Sequence, residues 1–497
     1  MEQHNHSQPW QDGQRVAPQA EVLRFPTGRK ELWFAAVMLL CGFALSNFVL
    51  FGGFNLGFAV AVFACICASA GYLLASGRKL GAYPAALLLL SLVIAAGFAR
   101  SDDGFVKFIM VCFLFLAVNL GLCLLAGQNR RAASGVRSLL DAPGTFFMLG
   151  LGALPRALRG LHGRAKNCSK GGKTVSAVLL GLAVAVPLLV VMVLLLTSAD
   201  AAFAGLMAKI PKPDFPQILL TAVWGCGAAC VMYAEGAGLV HAKRSPATAA
   251  KRKGIAKLTV NTVLIAVCCV YGLYLVSQLA YFVGGFAGIL PEGFTMAEYA
   301  RRGFFEMGWL CAINLGIIAL AVGLVEKTGK TPLFTRILCL FIGIVTLFFV
   351  VTASAKMGMY IGTFGLTRLR VLTEVIMVFL GLATAAVCVW LFVPKMPYMK
   401  VVLLIALVMG ATVLWADVDT VVASYNVRAY QSGQLNAVDV EYLTTLSSSA
   451  VPYIAELAEA GNKDAKKFMK EYGSADAQTG DLRSWNWADW RAAESED

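Results

Sequence analysis

Two arginine–glutamate pairs stand where long apolar runs begin. In Ala-Glu298-Tyr299-Ala-Arg301-Arg302-Gly-Phe-Phe-Glu306, Arg302 and Glu306 are four residues apart; in Arg368-Leu-Arg370-Val-Leu-Thr373-Glu374, Arg370 and Glu374 repeat the offset. Residues i and i+4 share a face of a helix. A guanidinium offers a planar fork of donors to a carboxylate or phosphate, and a carboxylate in a first helical turn is favoured as its anion by the positive helix end. Two such pairs at one depth can form a cross-linked network. Two readings stay open. The pairs are salt bridges that stabilise helix starts near lipid headgroups, or they form a pocket for a small anionic or zwitterionic solute. In the pocket, Arg302 and Arg370 hold the anion and Glu306 and Glu374 orient them.

Other polar groups are out of place in the apolar runs. Tyr271, Tyr274, Gln278 and Tyr281 fall on one helical stripe, either packing between helices or, with Tyr274 and Gln278, lining a polar cavity. Glu235 lies about six residues from the end of its run and is followed by Gly-Ala-Gly. It is a candidate proton relay, the alternative being a hydrogen-bonded structural carboxyl. Charges at mid-span cost at least ~2.5–3.5 kcal/mol each on insertion scales, so such residues mark function or firm pairing.

Most other chemistry finds no support. The four histidines form no HExxH motif, and no Walker, dinucleotide or GxSxG motif occurs. No metal site, cofactor or catalytic residue is expected. Asp102-Asp103 could suggest a metal-assisted sugar transferase, but their loop is too short to build a catalytic jaw. Of 13 cysteines, all but Cys168 lie in apolar segments, so there is no disulfide framework. Cys226 and Cys230 read as small packing residues.

The elements that must position these groups are membrane helices. Hydrophobic residues make up 58% of the 497, with mean hydropathy +0.70, well above a soluble domain. A bilayer core of about 30 Å takes about 20 apolar residues. Eleven stretches qualify: 32–52, 54–76, 83–99, 105–126, 174–197, 217–241, 258–284, 303–325, 333–353, 371–393 and 398–415. The third is short and follows Pro84. With a cytoplasmic N-terminus, 26 lysines and arginines fall on cytoplasmic segments and 9 on outer ones. This bias supports that orientation and, with an odd span count, places the C-terminus outside. The net charge of +13 is thus an insertion signal, and no nucleic acid is implied. No apolar segment in the first 30 residues suggests a cleavable signal peptide.

The expected fold is all-α: a polytopic membrane helix bundle of about 11 transmembrane helices with a small helical C-terminal extracytoplasmic domain. Its parts are a cytoplasmic tail (1–31), a four-helix membrane section (32–126), a basic cytoplasmic loop (127–173), a seven-helix membrane section (174–415) and the tail domain (416–497). Residues 142–163, apolar but broken by Pro and Arg, read as an interfacial segment rather than a span. From Asp417 the chain turns acidic, with 14 Asp and Glu against 7 Lys and Arg, and helical periodicity predicts three or four short helices. The end, SWNWADW, reads as a packing or headgroup anchor ahead of a stacking platform for sugar.

The runs Gln278-Leu-Ala-Tyr-Phe-Val-Gly-Gly285, Thr295-Met-Ala-Glu-Tyr-Ala-Arg-Arg-Gly-Phe-Phe-Glu306 and Gly365-Leu-Thr-Arg-Leu-Arg370, with Ala423-Ser424-Tyr425-Asn426 in the tail, resemble the DUF4173 family. The likeness covers roughly residues 170–460. It implies a multi-pass bacterial plasma-membrane (inner-membrane) protein of unknown function, and no activity, cofactor or partner. Three function classes follow: a transporter or permease-like protein with an outward Arg/Glu pocket, an envelope sensor or scaffold whose tail meets a partner, and an enzyme on lipid-linked substrates at the outer leaflet. Membrane lipids are the general partner, through the basic loops.

Overall fold

A computed structural model describes residues 25–128, 141–167, 215–241, 255–286, 304–325, 331–472 and 481–495, together with Met192. The described residues form helices and no strands. The apolar runs become α1 (Arg29–Gly52), α2 (Leu56–Ala75), α3 (Ala82–Gly97) and α4 (Gly104–Leu125). After α5 (Asp141–Thr145) comes a π-helical segment, Phe146–Leu151, and then α6 (Leu154–Asn167). The second membrane section holds α7 (Phe215–His241), α8 (Lys257–Phe286), α9 (Phe304–Leu324), α10 (Leu333–Phe364), α11 (Arg368–Phe392) and α12 (Tyr398–Ala416).

Nine of the described helices are long and apolar enough to cross a bilayer. α3, with 16 residues, is a shorter apolar helix. The expected span over 174–197 lies outside the described residues. This is an all-α polytopic bundle. One boundary differs from the sequence expectation: α10 runs 32 residues, eleven beyond residue 353. Ser354 and Lys356 do not stop it. It ends at Gly365, whose φ of 73° only glycine adopts freely and whose N–H donates to the Ile361 carbonyl at 2.8 Å. At 1.5 Å per residue such a helix is about 48 Å long, so its final turns project past the apolar core.

Cores form between neighbouring helices. α8 to α11 share one, around Ile342, Phe349 and Met377. α2, α3, α4 and α12 share another, around Leu87, Ile94, Phe98 and Leu407. α1 lies along α7, with Gly42 so close to the Gly225 carbonyl that position 42 has no room for a side chain, while a Cβ at Gly225 would sit 3.1 Å from the Phe43 Cα. The π-helical segment lies on α7: a Cβ at Gly238 would sit 3.0 Å from the Leu149 Cβ, and one at Gly150 would sit 3.7 Å from the Glu235 Cβ.

The loops sort to two ends. At one, Arg78 donates to the Val240 carbonyl (3.2 Å), His241 Nε2 lies 3.3 Å from Glu31 Oε1, and Arg336 reaches the Leu391 carbonyl (3.4 Å). At the other, the α1–α2, α3–α4 and α10–α11 turns meet the tail. The tail folds as α13 (Val418–Gln431), α14 (Val440–Thr444), α15 (Val451–Glu459), α16 (Lys463–Tyr472) and α17 (Trp487–Glu494). That is one helix more than the upper expectation. Ala423, Val427, Leu443, Ile454 and Leu457 form its core.

Candidate functional site

Among the described residues, those singled out by type and spacing do not converge as one network. Arg302 lies outside the described residues. Glu306, in the first turn of α9, is exposed, with Lys356 of α10 within electrostatic reach. Arg370 turns back to the end of α10. Its Nη1 donates to the Phe364 carbonyl (3.1 Å) and to that of Gly365, and its guanidinium lies over the Tyr360 ring, 4.3 Å from the centroid. Glu374, one turn further on, forms no ion pair with Arg370; its Oε2 is buried without a hydrogen-bond partner.

Arg370 nevertheless borders a cavity of about 180 Å³. Phe304 and Phe305 of α9, Met357 and Tyr360 of α10, and Leu369 form its apolar wall. Arg370, Thr367 and Thr373 supply the polar edge. The shape follows from local structure. Gly365 breaks α10, the Thr367 hydroxyl accepts from the Arg370 N–H to begin α11 (3.4 Å), and the turn leaves a gap over the start of α9. Positions 370, 374 and 377 share one face of α11. Met377 points that face at α9, where a Cβ on Gly308 would lie 3.5 Å from its sulfur. The arrangement can hold a small anion on an apolar body.

Tyr271 and Tyr274 of the stripe on α8 pack between helices and do not border this cavity; the side chain of Tyr281 lies outside the described residues. Tyr271 donates to Asn314 Oδ1 (2.5 Å), and Asn314 donates to Thr346 Oγ1 (2.9 Å). Tyr274 meets Phe349 edge-on at 5.2 Å. The side chain of Gln278 lies outside the described residues. Glu235 of α7 is 9% exposed, is not among the residues lining the cavity and stands six residues before the helix end at His241; its Oε1 has no hydrogen-bond partner.

Sequence spacing missed a second cluster. Arg368 binds Asp419 of α13 with both arms of its fork, Nε to Oδ1 at 2.8 Å and Nη2 to Oδ2 at 2.5 Å. Its Nε also lies 3.0 Å from Asp103 Oδ2, paired in charge though out of line for a hydrogen bond. Asp103 Oδ1 caps α4 by accepting from the Phe105 and Val106 N–H groups (2.9 and 3.1 Å). Asp417 accepts from the Ser101 and Thr420 hydroxyls (3.0 and 2.7 Å). Lys107 donates to Asn55 Oδ1 (2.6 Å) and lies 3.7 Å from Asp102. Asn486 Nδ2 donates to the Ser101 carbonyl (2.7 Å). Asp103, Asp417 and Asp419 are almost wholly buried. Burial, then the nearby Asp489 charge, pushes the Asp102 carboxyl up to about 6, against the pull of Lys107. Burial also raises Asp417 and Tyr442. The cluster welds the tail to the bundle, and Asp102 and Asp103 serve that seam. No group of metal-ligating side chains is found among the described residues.

The cavity and the Asp103–Arg368–Asp419 core of the seam fall within the segment that matches a known family. The DUF4173 resemblance is not the one that matches. The profile described as "Domain of unknown function (DUF4153)" does, over residues 85–457. No curated protein and no solved structure matches the chain. With three quarters of its length matched, from α3 to α15, this membrane protein belongs to the DUF4153 family, whose function is unknown.

Proposed function

We propose that the protein is transporter-like and binds a small anionic or zwitterionic solute at the α9–α10–α11 cavity. The supporting observation is the cavity itself, where a guanidinium sits at the edge of an otherwise apolar wall. Arg370 engages described acceptors through Nη1 alone, which leaves donors on the fork to meet a ligand. The volume is below that of sites for drug-sized ligands, so the solute is small. An aromatic or branched monocarboxylate fits the wall, and the unpartnered Glu374 oxygen on the same face offers an acceptor for an ammonium group. Arg302, two residues before Phe304, belongs to this reading as a second donor.

In this reading the basic end is cytoplasmic and the tail domain faces outward, in a bacterial plasma membrane. The test is binding followed by transport. Protein in nanodiscs is titrated with benzoate, phenylalanine and inorganic phosphate, with melting temperature as the readout. Stabilisation by one of the organic acids is expected, and Arg370→Gln should weaken it about tenfold, ~1.4 kcal/mol of binding. Counterflow of the same acid in proteoliposomes then separates a carrier from a receptor. If no probe stabilises the wild type, or if Arg370→Gln binds as well, the reading fails.

The seam favours a second reading, an envelope scaffold. The tail is fixed to the bundle by buried ion pairs, so a partner bound to it would be held in a set orientation. Specific capture of a cell-wall fragment or a single envelope protein by the intact chain, with no solute binding, would favour this reading.

A further inference from the structure

We infer that Glu235 is a proton-binding site inside the membrane, separate from the outer cavity and independent of the solute reading. Three observations carry it. Glu235 is 9% exposed on a helix long and apolar enough to span. Its Oε1 is buried with no hydrogen-bond partner, and no ion pair involves it among the described residues. The element laid over it is the π-helical segment, where Gly150 places backbone in place of a side chain. An ionised carboxylate so placed costs several kcal/mol without a counter-charge, whereas the neutral acid costs little and supplies its own O–H donor. π-helical segments are widened, weakened stretches of helix that recur at functional sites. Here one covers the only acidic residue of α7.

Among the described residues, no neighbouring titratable group neutralises it. α7 packs against α1, α2, α6 and the π-helical segment. The π-helical segment, FFMLGL, has none. On α1 and α2, Glu31 and Tyr72 are occupied with His241 at the end of α7 (3.3 Å from Glu31 to His241, 3.5 Å from Tyr72 to Glu31). Lys30 donates to the Ala75 carbonyl, Arg29 is exposed, and Cys41, Cys65 and Cys67 are thiols. Arg78 bonds the Val240 carbonyl. On α6, Arg156 lies over the Phe25 ring and Arg159 is exposed, while the side chains of His162, Arg164 and Lys166 lie outside the described residues. On α7 itself the remaining groups are Cys226, Cys230 and Tyr233, whose buried hydroxyl is turned toward Thr27. Glu235 is six residues, about 9 Å along the axis, from His241. That is the nearer end, and the one from which a proton would pass between the carboxyl and water.

A lipid-soluble carbodiimide tests this, because it adds to a protonated carboxyl in an apolar site. Native membranes holding the full chain are treated across mildly acid to alkaline buffers, and the peptide around residue 235 is analysed by mass spectrometry. An adduct on Glu235 is expected in acid buffer, falling several-fold in alkaline buffer and absent from Glu235→Gln. The Gln variant mimics the neutral acid and should elute as the wild type does in size exclusion. If it fails to fold, labelling of the wild type still decides. No adduct in any buffer while other carboxyls react overturns the proposal. An adduct of equal yield in every buffer also overturns it, because it describes an acid that never releases its proton.

Discussion

At the scale of single residues, Arg368 and Asp102 show what spacing conceals. Arg368 stands two residues before Arg370 and belongs to neither arginine–glutamate pair. In the fold it reaches 51 residues forward to Asp419 and 265 back to Asp103. Nothing in a local pattern encodes such partners; the trace in the sequence is the paired aspartates at 102–103 and at 417 and 419. Replacing Arg368 by Met strands two buried carboxylates, and a loss of about 3–5 kcal/mol is expected. The Asp419→Asn variant should lose less in the Arg368→Met background than alone, and a double-mutant cycle read by denaturant unfolding checks the coupling. Asp102 makes a separate prediction. Its carboxyl sits at about 6 in the fold against 3.8 ordinarily, so the folded state favours the protonated form. The resulting stability is complete below about 4 and is lost as pH climbs to about 6. Melting temperature should therefore fall over that window, and Asp102→Asn should flatten that component of the profile.

Helices were the most legible level, because a 20-residue apolar run has few other fates. Boundaries were less so. Lys356 looked like the outside of a span, yet α10 carries it for two more turns before Gly365. Glycines decide two contacts between elements. Gly365→Ala sets a side chain in a left-handed turn with its Cβ 2.5 Å from Asn426 Oδ1, the same oxygen that accepts from the Leu366 N–H (2.7 Å). A cost of at least ~1 kcal/mol is expected, along with lost binding at the cavity, because Arg370 is anchored on this turn. Gly42→Leu should separate α1 from α7 and abolish a monodisperse peak in size exclusion, while the same change at Gly71, which faces open space, should not.

For the whole molecule, the tail is part of the bundle rather than an appended module. A chain ending at residue 416 would leave Asp103 and Arg368 without Asp419 and would remove the carbonyls of Arg483 and Trp485 from the start of α2. The expected result is a poorly folded protein rather than an intact membrane anchor, measurable as loss of the folded peak in size exclusion. Successive helices run antiparallel, so alternate turns among the described residues gather at one end, as the spacing of the apolar runs implies. Which of those turns touch, and where the small cavity opens among them, depends on side-chain packing that hydropathy does not carry.

The first turn of α2 makes this dependence concrete. Its Leu56 and Gly57 N–H groups donate to Trp485 and Arg483 carbonyls (3.1 and 3.3 Å), partners that lie more than four hundred positions later. During synthesis that helix enters the bilayer long before its acceptors emerge from the ribosome, at ~5–20 residues per second. For tens of seconds the nascent protein must therefore keep this end open to water.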